Sequence, residues 1–403
     1  MLETVRRTLS DFTRLSLVRK AGFLMLLLAA IVSAAQGLRN AQQFSQDFQW
    51  SPSVLFIEGT NPYAYYLSGN ADGRIILSQE PNYAHGLYVL FAPLAALDWS
   101  QAKIVWALFN LVASLFIAVW IGRRAGLEGV LLAALVLAFL CSTPFRNNLG
   151  NGQHAAFVLL AACAVLLGNS LRGSFLTGFA YLKHSFAPPL AAYLFFKNGP
   201  KHLLLSLVPG IVGYAIFLAY VGGDPLVVLV QPLKVNAGTF LVGDGDWMSL
   251  TTLLYPRKEG LVYALIYYAT PLLLSTVIAF FAAKRVADPF LAFSIVCVAA
   301  LVCFRHLRYD FIFLLPAFAY AVKKAEQLPA KIALAAIALQ WYAARLFDPS
   351  GVFDLGKSKL ILVSLNFFLC VLALVCLFMM SKKTAMILTE TSATAEPISE
   401  VRT

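Results

Sequence analysis

AGFLMLLLAAIVSAAQGL, residues 21–38, is an uninterrupted apolar run that nearly reaches the ~20 residues a helix needs to cross a bilayer. Nine further runs follow, at residues 104–121, 127–143, 155–168, 203–221, 261–283, 289–304, 311–322, 332–344 and 360–380. The 403 residues are 60% hydrophobic and 13% charged, whereas soluble domains are about half apolar and a quarter charged. Composition therefore excludes a soluble enzyme and a disordered chain, and continuous rather than alternating runs exclude an outer-membrane barrel.

The basic residues predict the orientation of these spans, because Lys and Arg collect in cytoplasmic turns. With the N-terminus inside, every cytoplasmic turn carries at least one basic residue, namely Arg123, Arg124, Arg172, Lys197, Lys201, Lys284, Arg285, Lys323, Lys324, Lys331, Lys382 and Lys383. The net charge of +11 is thus explained by the orientation of the spans and does not indicate a nucleic-acid partner. We expect a multi-pass protein of the inner (plasma) membrane with both termini cytoplasmic, and a disordered cytoplasmic tail at 384–403.

Two segments need a choice under this orientation. Residues 84–97 are apolar but too short to span, so we expect an interfacial or re-entrant helix on the outer side. Residues 174–196 carry Lys183 and His184 in the middle, with Pro188 and Pro189 just after. One crossing is an alternative, but a bent pair of short helices keeps the next basic turn inside. Because a bend within the membrane requires surrounding protein or water, it predicts a cavity at Lys183. We therefore expect an all-α membrane protein of about twelve transmembrane helices.

Polar residues gather on the outer face, in a first loop at 39–103 and a second at 222–259. Asp47 follows the first span. It is either a solvated loop acid or a general base shielded by its aromatic neighbours, of which Trp50 could also seat a sugar ring. Asn61 begins a turn, and Tyr63 either lines a substrate site or belongs to an interfacial aromatic belt. We assign no metal to Asp244 and Asp246, and the cysteines lack the spacing of a zinc site. No metal or cofactor is therefore expected.

Ionisable residues near or inside the apolar runs are the strongest pointers to a functional site. Lys183 can pair with a phosphate, and its central position argues against snorkelling to an interface. Arg305, His306 and Asp310 lie together at the end of a span. They form either a phosphate or pyrophosphate-like site, or an ion pair that merely joins helices.

Several short motifs occur in an order that resembles glycosyltransferase family 87, a group with the GT-C fold. An early Asp in the first outer loop comes first, and five motifs follow it: GTNPY at 59–63, APLAAL at 92–97, GNGQHAAFVLL at 150–160, GFAYLKHSFAPPL at 178–190 and RYDFIFLLPA at 308–317. The resemblance covers roughly residues 20 to 380 and implies a single GT-C-like transmembrane domain over 1–383. The sequence departs from the family pattern at residues 84–86, where prolines are usual, and at 184–186.

This resemblance implies inverting transfer of a sugar, with mannose expected, from a polyprenyl-phosphate sugar to a lipid or glycan acceptor on the extracytoplasmic face. Asp47 is implied as the base, without a metal. The substrate-binding residues are expected to be Lys183, Arg305, His306, Asn61, Tyr63, Gln153, His154, Trp50 and Asp310. The partners are then the lipid-linked donor, the acceptor and membrane lipids.

A transporter or flippase of a lipid-linked substrate is the alternative. Transporters tend to show internal repeats and broken helices at the midplane. This sequence has one broken-helix candidate, no visible repeat and large acidic outer loops, which favours the enzyme. A membrane scaffold is a third possibility, against which the charges at Lys183 and at 305–310 argue.

Overall fold

The computed structural model describes residues 10–242, 261–342 and 365–381, with side chains for 10–236, 269–342 and 365–381. These residues form helices joined by short 3-10 turns, and none of them lies in a strand. The helices are α1 (Leu17–Gln43), α2 (Trp50–Ile57), α3 (Pro62–Leu67), α4 (Gly86–Ala95), α5 (Trp99–Arg124), α6 (Gly129–Cys141), α7 (Thr143–Gly150), α8 (Ala155–Cys163), α9 (Leu171–Thr177), α10 (Ala187–Asn198), α11 (Pro200–Val221), α12 (Pro225–Val242), α13 (Leu261–Arg285), α14 (Pro289–Cys303), α15 (Leu315–Lys323), α16 (Leu328–Tyr342) and α17 (Leu365–Ser381).

The predicted all-helical class is confirmed, whereas the count of twelve spans is not. Within the described ranges, α1, α5 and α11 are long and apolar enough to cross a membrane, and α6 with α7 makes a fourth candidate if the bent pair is one span. Shorter apolar helices include α4, α14, α16 and α17. Hydropathy predicts where apolar helices lie, but it does not show which short helices pair to complete a crossing.

Two predicted loops contain helices. The predicted outer loop after α6 contains the helix α7. The axis of α7 turns away from that of α6 by 56°, because Ser142 caps the new helix and Pro144 occupies its first turn. The second predicted outer loop, 222–259, begins with α12 instead of irregular chain. Asp244 and Asp246, like the tail at 384–403, lie outside the described residues.

The core is organised around α14, in which every residue from Phe290 to Cys303 is buried. A helix that is apolar on all sides must be surrounded by protein or lipid, and here α13, α15 and α10 pack around it. Ser294 is tolerated in this setting because its hydroxyl donates a hydrogen bond of 2.8 Å to the Phe290 carbonyl of the preceding turn. The helix ends next to the segment that carries Arg305 and His306, so it holds that segment from within the core.

The expected break in residues 174–196 is present. A 3-10 turn, Gly178–Leu182, ends at Lys183, whose backbone is extended, and a new helix begins at Ala187. Pro188 and Pro189 explain the position, because proline lacks an amide proton and its ring collides with the carbonyl four residues earlier. They are accommodated only in the first turn of α10, so no helix can run through Lys183 from either side.

The first predicted outer loop, at 39–103, is attached to α11 and α12 by close contacts. Gly86 at the start of α4 and Gly213 in α11 touch through their backbones, and a Cβ on Gly213 would lie 2.5 Å from the Gly86 Cα. His85 Nε2 donates to the Val228 carbonyl on α12 over 2.9 Å, and Asn61 Nδ2 donates to Gln231 Oε1 over 2.8 Å. These contacts hold α12 beside the first predicted outer loop.

We expect Gly213→Ala to destabilise the protein, because the contact at this position is between two backbones and neither can yield as a side chain could. Overpacking of this kind costs about 1–3 kcal/mol. Gly210→Ala in the same helix is the matched control, since nothing lies within 4 Å of a Cβ there. Thermal unfolding in detergent checks the prediction, and equal midpoints for the two variants would contradict it.

Candidate active site

A cavity of about 330 Å³ opens at the break between α9 and α10. Its polar wall consists of Lys183, His184, Ser185, Asn236, Arg305, His306, Asp310, Asn82 and the two tyrosines Tyr83 and Tyr309. Its apolar wall consists of Leu233 on α12, Pro271 on α13, Phe304 and Leu307. The bend therefore coincides with a cavity, as expected, and the cavity is lined by both polar and apolar side chains.

Lys183 is held at the cavity by a buried acid. Its Nζ lies 2.5 Å from Asp310 Oδ1, and the Lys183 and Asp310 side chains are only 12% and 1% exposed. The ammonium also lies 4.8 Å from the centre of the Tyr309 ring, within the range of a cation–π contact. A buried charge is tolerable when it is paired and hydrogen-bonded, and this pair meets that condition.

His306 extends this pair into a cluster of three ionisable groups. Its Nδ1 is 3.0 Å from Asp310 Oδ2, and its Nε2 is 3.2 Å from the Ala300 carbonyl of α14. Both neighbours accept hydrogen bonds, but a neutral imidazole carries one proton. A neutral His306 can therefore donate to only one of these two acceptors at a time.

Asp47 lies in the turn between α1 and α2, close to this cluster but outside the cavity wall. Burial, and to a smaller extent the negative charge of Glu80, raise the pKa of its carboxyl to about 7. The Lys183 ammonium and the Gln153 side chain act in the opposite direction. Such a pKa lets the group exchange a proton near neutral pH, as a general base requires.

The backbone of Asp47 is hydrogen-bonded to the loop at residues 150–154. The Asp47 amide donates to the Asn151 carbonyl over 3.2 Å, and Trp106 Nε1 donates to the Gly152 carbonyl over 2.8 Å. Gly152 has a φ of +69°, and a Cβ there would come within 2.8 Å of Phe48 Cβ. Glycine is thus required both for the turn and for the close approach of Asp47 and its neighbour Phe48.

Aromatic rings enclose the chain on both sides of Asp47. Phe48 is fully buried against the rings of Trp99 and Trp106, with centroid separations of 5.9 and 5.5 Å. Trp50 donates from Nε1 to the Leu97 carbonyl over 3.1 Å and packs on Trp99. These contacts fix Asp47 and account for part of the burial that raises its pKa.

Five of the predicted substrate-binding residues do not line the cavity. Asn61 caps α3 by accepting from the amides of Tyr63 and Ala64, and the Tyr63 hydroxyl donates to the Tyr83 carbonyl over 2.7 Å. Trp50 follows Asp47 by three residues and packs on Trp99, and Gln153 accepts from the Tyr83 hydroxyl. His154 is buried among the rings of Phe91, Tyr83 and Trp106, which lowers its pKa to about 3. The substrate-binding roles of these five residues stay predictions.

Sequence reasoning missed several residues at the site. Tyr83 and Tyr309 stand within or beside quoted motifs, and His184 follows Lys183, so sequence proximity could have found them. Asn236 lies on the unexpected α12, where its Nδ2 donates to His184 Nε2. Glu80 could not have been singled out from its sequence context, since it matters only through its proximity to Asp47. No group of three possible metal-binding side chains occurs in the part of the chain that the structure describes.

We expect Lys183 and Asp310 to be energetically coupled. Lys183→Met leaves a buried carboxylate without its ammonium, and Asp310→Asn leaves the ammonium without its acid, so each single variant is destabilised by about 3–5 kcal/mol. The double variant should lose about 1–3 kcal/mol less than the sum of the singles. Free energies of unfolding in mixed micelles measure this cycle. Lys201→Met, at an exposed position of α11, is the control, and strict additivity would argue against the pair.

Comparison with known proteins assigns the chain to a family. No curated protein and no solved structure matches the chain significantly. The family model described as Glycosyltransferase family 87 matches residues 83–305, a segment that runs from Tyr83 through Lys183 to Arg305. Since the match covers more than half of the chain, the protein belongs to glycosyltransferase family 87.

Proposed function

We propose that this glycosyltransferase moves a sugar, with mannose the favoured one, from a polyprenyl-phosphate sugar to a lipid or glycan acceptor. The reaction takes place on the extracytoplasmic side of the inner membrane, on a GT-C-like scaffold with both termini cytoplasmic. The observation that carries the proposal is the cavity whose lining combines the cationic Lys183 and Arg305 with the apolar Leu233 and Pro271. A lipid phosphate ester combines the same two characters, whereas a nucleotide sugar is polar throughout.

The polar wall suits the phosphate of the donor. Lys183 supplies a compact charge and Arg305 a planar one, and hydrogen bonds to phosphate that involve ionised donors are the stronger kind. Asp310 keeps Lys183 in place, and Arg305 brings a second positive charge to the same cavity. The leaving phosphate gains negative charge as the glycosidic bond breaks, so fixed cations stabilise the transition state more than the ground state.

The apolar wall suits the polyprenyl chain. Leu226, Leu229 and Leu233 on α12 are all strongly exposed, and so are Leu272 and Leu273 on α13 next to Pro271. Exposed apolar side chains on a membrane protein face lipid. A donor entering past these helices could keep its isoprenoid tail in the bilayer while its phosphate reached Lys183.

Asp47 is the base of the proposed reaction. An acceptor hydroxyl attacks the anomeric carbon and gives its proton to the Asp47 carboxylate, while the bond from that carbon to the donor phosphate breaks and its electron pair stays on the phosphate oxygen. Attack from the side opposite the phosphate inverts the anomeric centre. No metal is needed for this step, because the phosphate is itself a good leaving group.

We expect Asp47→Asn to lower transfer from polyprenyl-phosphate mannose by about 10²–10⁴-fold, the contribution typical of general base catalysis. Purified protein is incubated with the labelled donor and a lipid extract, and labelled product is counted. Asp72→Asn, at an exposed position of the same outer segment, is the control. Full activity of Asp47→Asn would exclude Asp47 as the base, while donor movement across vesicles without consumption would favour the transporter.

The pH dependence of kcat/KM provides a separate check. The base must be ionised, so activity should rise about tenfold per pH unit below pH 7 and level off above about pH 8, since the pKa of Asp47 is about 7. An ordinary carboxyl would give a plateau from about pH 5 upward. A flat profile between pH 5 and 8 would therefore contradict the assignment.

A further inference from the structure

We infer that His85 is a positioning residue for the donor cavity, because its ring binds the carbonyl of Val228 in α12, which Pro232 leaves free. Through this hydrogen bond His85 fixes the half of α12 that lines the cavity. The effect on donor binding rests on the lipid-phosphate donor proposed above, whereas the effect on the position of the helix does not. His85 itself needs no contact with the donor.

Pro232 interrupts the hydrogen bonding inside α12. In an uninterrupted helix the amide of residue 232 donates to the carbonyl of Val228, four residues earlier, but proline has no amide proton and its ring collides with that carbonyl. In an apolar surrounding a freed carbonyl needs a donor from a neighbouring segment. The sequence of α12 therefore creates a demand for one hydrogen-bond donor beside Val228.

His85 supplies this donor from the chain just before α4. Its Nε2 lies 2.9 Å from the Val228 carbonyl oxygen, and since a carbonyl only accepts, Nε2 is the ring nitrogen that carries the proton. The ring is buried against Tyr63, Tyr214 and Phe217, with centroid separations of 4.9, 5.0 and 4.9 Å. Packing on these rings restricts the imidazole, so the hydrogen bond fixes α12 relative to the first predicted outer loop.

The bond acts at the boundary between two parts of α12. The start of the helix is attached separately, because the Tyr214 hydroxyl donates to the Pro225 carbonyl. After Pro232 the helix presents Leu233 and Asn236 to the cavity. Loss of the histidine bond should therefore loosen the helix at the proline and displace these cavity-lining residues, while the start of the helix stays in place.

The kinetic test combines His85→Phe with Pro232→Ala. Phenylalanine keeps an aromatic ring without a donor, so the KM for polyprenyl-phosphate mannose should rise about fivefold with kcat nearly unchanged. Pro232→Ala restores an amide proton that can bind the Val228 carbonyl, so in this background His85→Phe should raise KM by less than about twofold. Pro93→Ala, at an exposed proline inside α4, is the matched control and should leave the full effect of His85→Phe.

Spin-label distances test the position of the helix without turnover. Leu233→Cys and Leu226→Cys are each paired with Leu204→Cys on α11, because all three positions are strongly exposed whereas the native cysteines are buried or half-buried. His85→Phe should broaden the distribution of distances between positions 204 and 233 and leave that between 204 and 226 unchanged. Pro232→Ala should remove the broadening.

An equal KM effect of His85→Phe in the Pro232→Ala and Pro93→Ala backgrounds, or an unbroadened distribution between 204 and 233, would overturn the inference. If His85→Phe does not fold, Pro232→Ala but not Pro93→Ala should restore folding, and failure of this rescue would overturn it as well. Broadening without a change in KM would overturn the role in donor binding. Absence of turnover in the unmodified protein would contradict the proposed function, and the distances would still decide whether His85 positions the helix.

Discussion

An ammonium ion in an apolar interior needs a partner, and the pair of Lys183 with Asp310 is the interaction on which the rest of the site depends. It joins the break before α10 to the segment after α14, which are distant in sequence. Through Asp310 it also sets the position of His306, and through the field of Lys183 it lowers the pKa of Asp47. The pair costs desolvation energy, so its presence in this interior indicates a functional use more than a gain in stability.

Around this pair, two charges of opposite sign act on Asp47 in opposite directions. Glu80 and burial favour the protonated acid, whereas Lys183 favours the ionised form. The resulting pKa near neutrality arises from a balance among residues on four separate segments. The pKa of Asp47 therefore changes with any of the distances between its carboxyl and these residues. Backbone contacts of the loop 150–154 keep those distances fixed.

Much of the fold could be predicted from the sequence, because helices that are buried in protein or lipid are apolar and are recognised from the composition of the segment itself. The break at Lys183 was also predictable, since Pro188 and Pro189 enforce it over a few residues. The number of spans was not, because short helices such as α6 and α7 pair through tertiary contacts that hydropathy does not encode. For the same reason α12 was expected as part of a loop, and Asn236 and Glu80 were missed, as their neighbours come from distant segments.

The separation of Lys183 from Asp310 has a consequence for the biogenesis of the protein. Asp310 is synthesised 127 residues after Lys183, an interval of roughly 6–25 s at ordinary rates of translation. Throughout that time the lysine lacks its Asp310 partner, so its ammonium must be solvated or paired in another way while the nascent helices insert. Completion of the site thus waits for the C-terminal third of the chain, and a ribosome that stalls before Asp310 leaves an unpaired charge for membrane quality control to recognise.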